Sequence, residues 1–392
     1  MTRTVVVINS GSSSIKFGLY VLSDSAHLRR TAWGAIEGLP ASPRMWTRDC
    51  SGRHAEYVWP DWAKRVSEEF LYRLIEWIEA QVGPDGLAAA GHRVVFGGAS
   101  HVAPVHVDAQ VLRDLEGLIP FMPLHLPHNL APIQALWRLN PGLVQIACFD
   151  TAFHATIPHV ARLYAIPRRL SETGLIRFGF HGLSYEFIAS RLPSIDARAA
   201  QGRTIVAHLG NGASLCALRA GRSVDTTMGF SALDGLVMGT RPGSVDPGIL
   251  LYLLRQRGYN ATRLEHMLYE ECGLLGVSGK SGDMRTLLAS DSPESREAIE
   301  LYCRRIVSSI GAMAATLGGV DALVFTGGVG ENAAPIRRRV CEALAWLGVE
   351  LDGQANAKGD RQITTPESRV QAWVVPTDED LMVATHVQTL LQ

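Results

Sequence analysis

The stretch Thr4-Val-Val-Val-Ile-Asn9-Ser-Gly-Ser-Ser-Ser14-Ile-Lys16-Phe17 decides the reading of the fold. Thr4–Ile8 is a β-branched run, which favours a strand. Small residues to Ser14 make a tip, and Ile15–Leu22 supplies a second strand. The segment is expected to be a hairpin with a Gly/Ser turn. At an offset of 200 residues the pattern returns, with Thr204-Ile-Val-Ala leading to Gly210-Asn-Gly-Ala-Ser214-Leu. A repeat at that spacing suggests two similar lobes, each with a turn rich in backbone N–H groups. A third turn, Thr326-Gly-Gly-Val-Gly-Glu331, is expected after the buried strand Val320–Phe325. Small residues let a ligand approach the backbone, and exposed N–H groups suit phosphate oxygens.

Outward from these turns, strands alternate with helices. Trp62, Val66, Phe70, Leu74 and Ile78 recur every four residues and predict a helix over Asp61–Val82, stopped by Gly83-Pro84. Asp246-Pro247 and Ser292-Pro293 each open a helix with a polar N-cap and Pro at its first position. The second of these is expected to end near Gly318-Gly319, and another helix near Gly348. The last helix is expected from about Thr377, with Thr377 and Asp380 as a capping box. The pattern is α/β, with no long linker between the lobes.

Composition narrows the class. The chain has 392 residues, 47% hydrophobic and 19% charged, which suits a globular protein of two lobes. Lys plus Arg is 37 against 38 Asp plus Glu, so no basic excess points to nucleic acid. The apolar run Val5–Ile8 is too short for a signal-peptide core. The nearest candidate for a membrane span, Ile306–Val320, carries two Ser and three Gly. The six cysteines form no CxxC and are read as reduced, mostly buried thiols of a cytoplasmic protein.

Chemistry-bearing residues stand in Gly-rich or apolar surroundings. Arg93 is expected at the head of a strand, Arg241 in a Gly/Pro loop, and Arg285 beside Asp283. Arginine holds carboxylate or phosphate bidentately and offsets charge on a transferring phosphoryl group. His125, His181 and His208 lie in short Gly- or Pro-flanked contexts, and Asp150 ends the strand Val144–Phe149. Glu379 reads equally well as a helix-dipole acid. His125 and His128 are a poor metal pair because Pro127 separates them. Gly279-Lys-Ser281 lacks the earlier Gly of a P-loop. Gly328-Val-Gly-Glu-Asn-Ala333 competes as a Rossmann fingerprint, which would make the chain a dehydrogenase. A non-catalytic nucleotide binder is a further alternative.

Taken together, Asn9–Phe17, Gly91-His-Arg-Val-Val95, Phe149-Asp-Thr-Ala-Phe-His154, Phe178-Gly-Phe-His-Gly182, His208–Ser214, Asp225–Arg241 and Phe325–Asn332 resemble the acetate kinase family, in order and along essentially the whole chain. The resemblance implies a duplicated, two-lobed ribonuclease H-like fold of the sugar kinase, actin and chaperone ATPase superfamily. It places residues 1–150 with 381–392 in one lobe and 151–380 in the other. It implies reversible transfer between ATP and acetate, giving acetyl phosphate and ADP, with Mg²⁺ or Mn²⁺. Propionate or another short-chain acid is the alternative substrate. A homodimer is implied, with neither nucleic acid nor membrane as partner.

The resemblance also assigns residues. Arg93 and Arg241 match the arginines that hold acetate and the transferring phosphoryl group, and Asp150 the catalytic acid. His181 matches the transition-state histidine, with His125 and His208 in support. Asn9 and Glu379 match the metal-linked residues. Ser12, Ser14 and Lys16 match the first phosphate turn; His208, Leu209, Gly210, Asn211 and Gly212 match the second. Asp283, Met284 and Arg285, with Gly327, Gly328, Val329, Gly330, Glu331 and Asn332, match the adenosine site. Val95, Leu124, Phe180 and Ala232 match the wall around the acetate methyl. Phe96, Leu126, Leu183, Tyr185 and Ala232 depart from the family's usual His, Asn, Thr, His and Pro, and are expected near the acyl side.

Overall fold

A computed structural model describes residues 3–12, 14–22, 28–39, 43–58, 68–82 and 86–392 of the chain. Its strands are β1 (Arg3–Ser10), β2 (Ser14–Leu22), β3 (Arg29–Glu37), β4 (Arg44–Asp49), β5 (His54–Val58), β6 (Leu87–Val94), β7 (Val105–His106), β8 (Val144–Phe149), β9 (Arg203–Leu209), β10 (Ala213–Arg219), β11 (Arg222–Thr226), β12 (Ala322–Thr326) and β13 (Gln371–Val374). They form two sheets, in the orders β5-β4-β3-β2-β1-β6-β8-β7 and β11-β10-β9-β12-β13.

The chain divides into two compact units, Met1–Phe153 with Asp378–Gln392, and His154–Thr377. The expected boundaries at 150 and 380 therefore shift, and Glu379 falls in the first unit. The repeat suggested by Thr4 and Thr204 is visible in the strand order. In the first unit β3-β2-β1 is an antiparallel meander, and β1 then pairs in parallel with β6 and β6 with β8. In the second, β11-β10-β9 is the meander, followed by parallel β12 and β13. Each unit is thus an α/β layer built on the same five-strand plan.

In the first unit β1 is covered on both faces, as its unbroken apolar run requires. Val6, Ile8 and Ala90 join a core with Phe70, Leu74 and Ile78 of the helix Glu68–Val82 and with Ala135 and Leu136 of the helix Leu126–Leu139. The earlier part of the predicted helix, with Trp62 and Val66, and its stop at Gly83-Pro84, lie outside the described residues. Gly91 points to the opposite face, where a side chain would meet Val383 Cγ1 and Val387 Cγ2 at 2.7 Å. This close approach seats the last helix, Glu379–Leu390, on the sheet. Its N-cap is Asp378, which accepts from Leu381 N–H, so the expected Thr377 cap is corrected by one residue. The Asp378 carboxylate accepts the orphan N–H, while Thr377 keeps only its backbone N–H engaged, by Glu331 Oε1 at 3.2 Å.

In the second unit the long helix Pro293–Leu317 packs on β9 and β10 and is capped by Ser292 and by Gly318 at φ 70°. It contains most of the Ile306–Val320 run; no helix among the described residues is long and apolar enough to cross a membrane. Asp246 caps the helix Pro247–Gln256. The expected turn after β12 is instead a short helix, Gly327–Asn332, because Gly327 at φ 76° lets the chain reverse straight into helical geometry. The Rossmann reading loses its footing here, since β13 is the one strand that follows β12 in this sheet.

Filling the Gly91 contact should unseat the last helix. Gly91→Val is expected to lower unfolding free energy by about 1–3 kcal/mol, the range for overpacking a core. Chemical denaturation with an unchanged m-value would measure it, and wild-type stability would mean the helix is held elsewhere.

Candidate active site

In the first unit the polar cluster forms at the C-terminal end of the parallel strands. Arg93 lies near the end of β6 rather than at the head of a strand, because the strand begins earlier, at Leu87. Its neighbour β8 ends at Phe149, and Asp150 follows directly. Arg93 donates from Nε to Asp150 Oδ1 at 3.1 Å and from Nη2 to Oδ2 at 2.5 Å. Its Nη1 donates to Asn9 Oδ1 at 3.1 Å, and Glu379 Oε2 lies 3.6 Å from Nε. Burial opposes the Arg93 charge, but Asp150 and Glu379 outweigh it and raise the guanidinium above its ordinary value. Arg93 is therefore a permanent cation with carboxylate and amide oxygens around it.

Asn9 and Glu379 bring one amide oxygen and one carboxylate to this cluster, while both Asp150 oxygens are taken by Arg93. Mg²⁺ commonly takes one or two protein oxygens and fills its octahedron with phosphates and water. The donor set fits that habit. In the turn between β1 and β2, Gly11 N–H donates to Ser14 C=O at 2.8 Å, and Ser12 and Lys16 are exposed. Ser13 lies outside the described residues. Val95 is held by its N–H on Asn129 Oδ1 at 2.9 Å. Asn129 also donates to Ser10 C=O and was not singled out from the sequence, where nothing distinguishes it from other Asn residues in a helix. Leu124 is 41% exposed, and His125 is the N-cap residue of the following helix.

In the second unit His181 adopts φ 58°, ψ 23° at the N-cap of the helix Gly182–Arg191. A left-handed non-glycine residue is strained and points to a site. Its ring stacks on His208, with centroids 4.2 Å apart. His181 Nδ1 bonds Ser214 Oγ at 2.8 Å, and His208 Nδ1 bonds Ser184 Oγ at 2.8 Å. Arg241 donates from Nη1 to Ala232 C=O at 2.8 Å. Desolvation lowers its pKa from the ordinary arginine value. A Cβ on Gly212 would lie 2.8 Å from Arg241 Nη2 and 3.1 Å from His181 Nε2. Gly212 thus lets a guanidinium and an imidazole reach the same turn.

The preceding residues of that turn, Gly210 and Asn211, border a cavity of about 590 Å³. It is lined by Gly210, Asn211, Asp283, Met284, Arg285, Gly328, Val329 and Asn332 of the expected nucleotide residues, joined by Leu288, Ala333 and Pro335. Asp283 caps the helix Met284–Leu288 and pairs with Arg285 at 2.9 Å, and these contacts hold its carboxyl down at about 2. Leu209 is fully buried in β9. Gly327, Gly330 and Glu331 are not part of the lining. Glu331 Oε1 instead accepts from Gly327 N–H at 2.9 Å and Thr377 N–H at 3.2 Å, tying the short helix to the strand β13 exit. Arg337, unremarked in the sequence, is buried and donates to the carbonyls of Gly330 and Glu331 at 2.9 and 2.8 Å.

The departures from the family pattern divide. Phe96 and Leu126 are fully buried core residues of the first unit, with Phe96 stacked on Phe121. Leu183 and Tyr185 are buried in the second unit, where Tyr185 joins Ser214 beside His181. Tyr185 therefore belongs with the histidine pair. Ser214, expected in the second Gly-rich turn, is the second residue of β10, and its hydroxyl serves His181 and Tyr185.

The sequence model of the Acetokinase family matches residues 4–385. The chain belongs to that family. It is 52% identical to the acetate kinase of Rhodopseudomonas palustris (strain TIE-1), over 100% of this chain and 99% of the relative. Among solved structures, the Porphyromonas gingivalis acetate kinase superposes with a TM-score of 0.88 at 35% identity, covering 100% of both chains. A propionate kinase from Francisella tularensis subsp. tularensis SCHU S4 gives a TM-score of 0.91 at 33% identity, covering 98% of both. These likenesses carry the acetokinase fold through both units of this chain.

Gly212 supplies a direct test of the geometry. Gly212→Ala should push Arg241 and His181 apart and lower kcat by about 10²-fold, as small misplacements in a reacting site do. The thermal midpoint should stay near wild type, because the turn is only half-buried. Unchanged kcat would separate Gly212 from the reacting centre.

Proposed function

We propose that this acetokinase transfers the γ-phosphoryl group of ATP to acetate, reversibly, giving acetyl phosphate and ADP. The observation that carries the reading is the continuous arrangement in the second unit. Gly210 and Asn211 line a cavity sized for a nucleoside, and Arg241 with His181 reaches the next residue of the same turn, Gly212. A nucleotide base in the cavity would lay its phosphates along the turn's backbone and its terminal phosphorus beside two donors.

One carboxylate oxygen of acetate attacks the γ-phosphorus in line, and the bond to the bridging oxygen of the leaving ADP breaks. Acetate is already an anion with a lone pair to give, so the protein needs no strong general base. Its task is alignment and relief of repulsion between two anions. Arg93 offers a cation to the acetate carboxylate, and Asp150 fixes the plane of that guanidinium. Arg241 and His181 offset charge on the transferring group. Asn9 and Glu379 would hold Mg²⁺, which supplies charge neutralisation to the phosphates. Asp283, Arg285 and the helix Gly327–Asn332 would border the adenosine.

We read the protein as cytoplasmic and homodimeric. The exposed apolar residues Val245, Ile249, Leu251 and Tyr252 around the helix Pro247–Gln256 support self-association.

An acyl-hydroxamate assay over a panel of carboxylates and phosphoryl donors tests the reaction. Acetate with ATP should give acyl phosphate; no product from any pair would end the kinase reading. Arg93→Ala and Arg241→Ala should each lower kcat/KM by about 10²-fold or more, and Arg241→Lys should stay impaired because a point charge cannot replace a planar fork. An alanine variant with wild-type kinetics would remove that arginine from the site.

Acyl size should depend on Ala232, whose carbonyl holds Arg241 and whose side chain is smaller than the family's usual proline. One methylene in an apolar pocket shifts discrimination by about 1–3 kcal/mol. Propionate should therefore be used well beside acetate, and Ala232→Pro should lower the propionate-to-acetate ratio of kcat/KM. A ratio that stays or rises would mean that position 232 does not set acyl size.

A further inference from the structure

Ser214 is fully buried at the start of β10, and its hydroxyl has two partners. His181 Nδ1 lies at 2.8 Å and the Tyr185 phenol oxygen at 2.5 Å. Tyr185 is also fully buried, on the helix that His181 opens. Ser214 is the one hydrogen-bond partner of the Tyr185 hydroxyl among the described residues. Burial raises the phenol well above its ordinary pKa, so it keeps its proton.

These constraints fix the order of protons along the chain. Leaving a buried phenol proton unpaired costs about 1–3 kcal/mol, so the order in which it is donated is favoured. The acceptor on the page is Ser214 Oγ. Ser214 has one proton of its own, and its second partner is His181 Nδ1. The serine therefore donates to Nδ1, Nδ1 accepts, and the imidazole proton resides on Nε2. Each other order leaves a donor unpaired: if Nδ1–H donates to Ser214 and Ser214 to Tyr185, the phenol proton has no acceptor, and if Nδ1–H and the phenol both donate to Ser214, the serine proton has none.

Nε2 is the nitrogen that faces the turn at Gly212 beside Arg241. A neutral Nε2–H there gives a hydrogen bond without adding a second full charge next to a buried guanidinium. The ring's orientation is held by its contacts, among them the stack on His208 and the bond to Ser214.

We propose that Tyr185 and Ser214 are positioning residues that lock His181 as its Nε2–H tautomer, aimed at the transferring phosphoryl group. The inference rests on the reading of His181 as a donor to that group. It goes further by assigning the tautomer and the two residues that set it. Neither touches substrate; both act through the imidazole.

Long-range ¹H–¹⁵N NMR of ¹⁵N-histidine-labelled protein reads the tautomer directly, with His181→Asn used to assign the resonance. Wild type should show the Nε2–H form. Tyr185→Phe leaves Nδ1 as the one partner of the Ser214 hydroxyl among the described residues, so the Nε2–H form should persist. Ser214→Ala removes the donor to Nδ1, so the Nδ1–H form should grow. In steady-state kinetics Ser214→Ala should lower kcat about 10-fold, the scale seen when a partner that fixes a histidine tautomer is removed, with KM for ATP and acetate little changed. The double variant should match Ser214→Ala alone, because Tyr185 acts only through Ser214. An Nδ1–H form in wild type overturns the proposal, as does a double variant slower than Ser214→Ala alone. If the protein forms no acyl phosphate, the functional reading falls by itself, and the NMR result still decides the tautomer.

Discussion

Arg93 cannot be buried without Asp150, and Asp150 cannot be buried without Arg93. Removing either leaves a desolvated charge, and such losses run to about 3–5 kcal/mol. The pairing is made by the sheet. β6 and β8 run in parallel with Arg93 opposite Cys148 and Val94 opposite Phe149, so the first residue past β8 comes beside the arginine. Asp150 N–H also donates to Val94 C=O at 3.0 Å, which continues the ladder one step beyond the strand. A slip in register would turn Arg93 to the other face and strand the carboxylate. The register of β6 on β8 and the polar cluster at their ends are therefore tied to one contact.

The second unit manages charge in the opposite way. Arg241 forms no ion pair among the described residues; a backbone carbonyl takes one of its donors, and desolvation weakens its hold on its proton. A buried cation short of counter-charge is a receptor for an anion. Arg337, close in sequence to the helix Gly327–Asn332, has a different fate. Its guanidinium is consumed by the carbonyls of Gly330, Glu331 and Asn356 and by the Asn356 amide oxygen, so it serves structure. The two arginines differ in how many of their donors the protein itself occupies. Arg93, by contrast, is held by carboxylates as a fixed, oriented fork.

Much of the fold was legible because it rests on local physics. The apolar runs expected as strands are β1, β2, β8 and β12, and the polar caps at Asp246 and Ser292 hold their helices. The misreadings were also local. Gly327–Asn332 reads as a turn on composition, yet backbone hydrogen bonding and the Glu331 tether fold it into a helix. Thr377 and Asp380 look like a capping box, yet Asp378 has the shorter reach to a free N–H. Of the site, the Gly turns, arginines and histidines stood out because such residues are unusual in apolar or Gly-rich context. Ser214, Ser184, Asn129 and Arg337 did not, because a small or common polar residue gains meaning only from its partner.

By itself the sequence determined two α/β lobes of one plan, the strand-turn-strand hairpins, and a set of arginines and histidines set in Gly-rich or apolar context. These follow from periodicity, caps and residue chemistry, which act within a few residues of one another. Tertiary structure alone decided that Glu379 returns to Arg93, that Gly212 admits both Arg241 and His181, and that Tyr185 reaches His181 through Ser214. Those contacts join residues far apart in the chain, and their energies depend on burial and on angles that exist only once the sheets have formed.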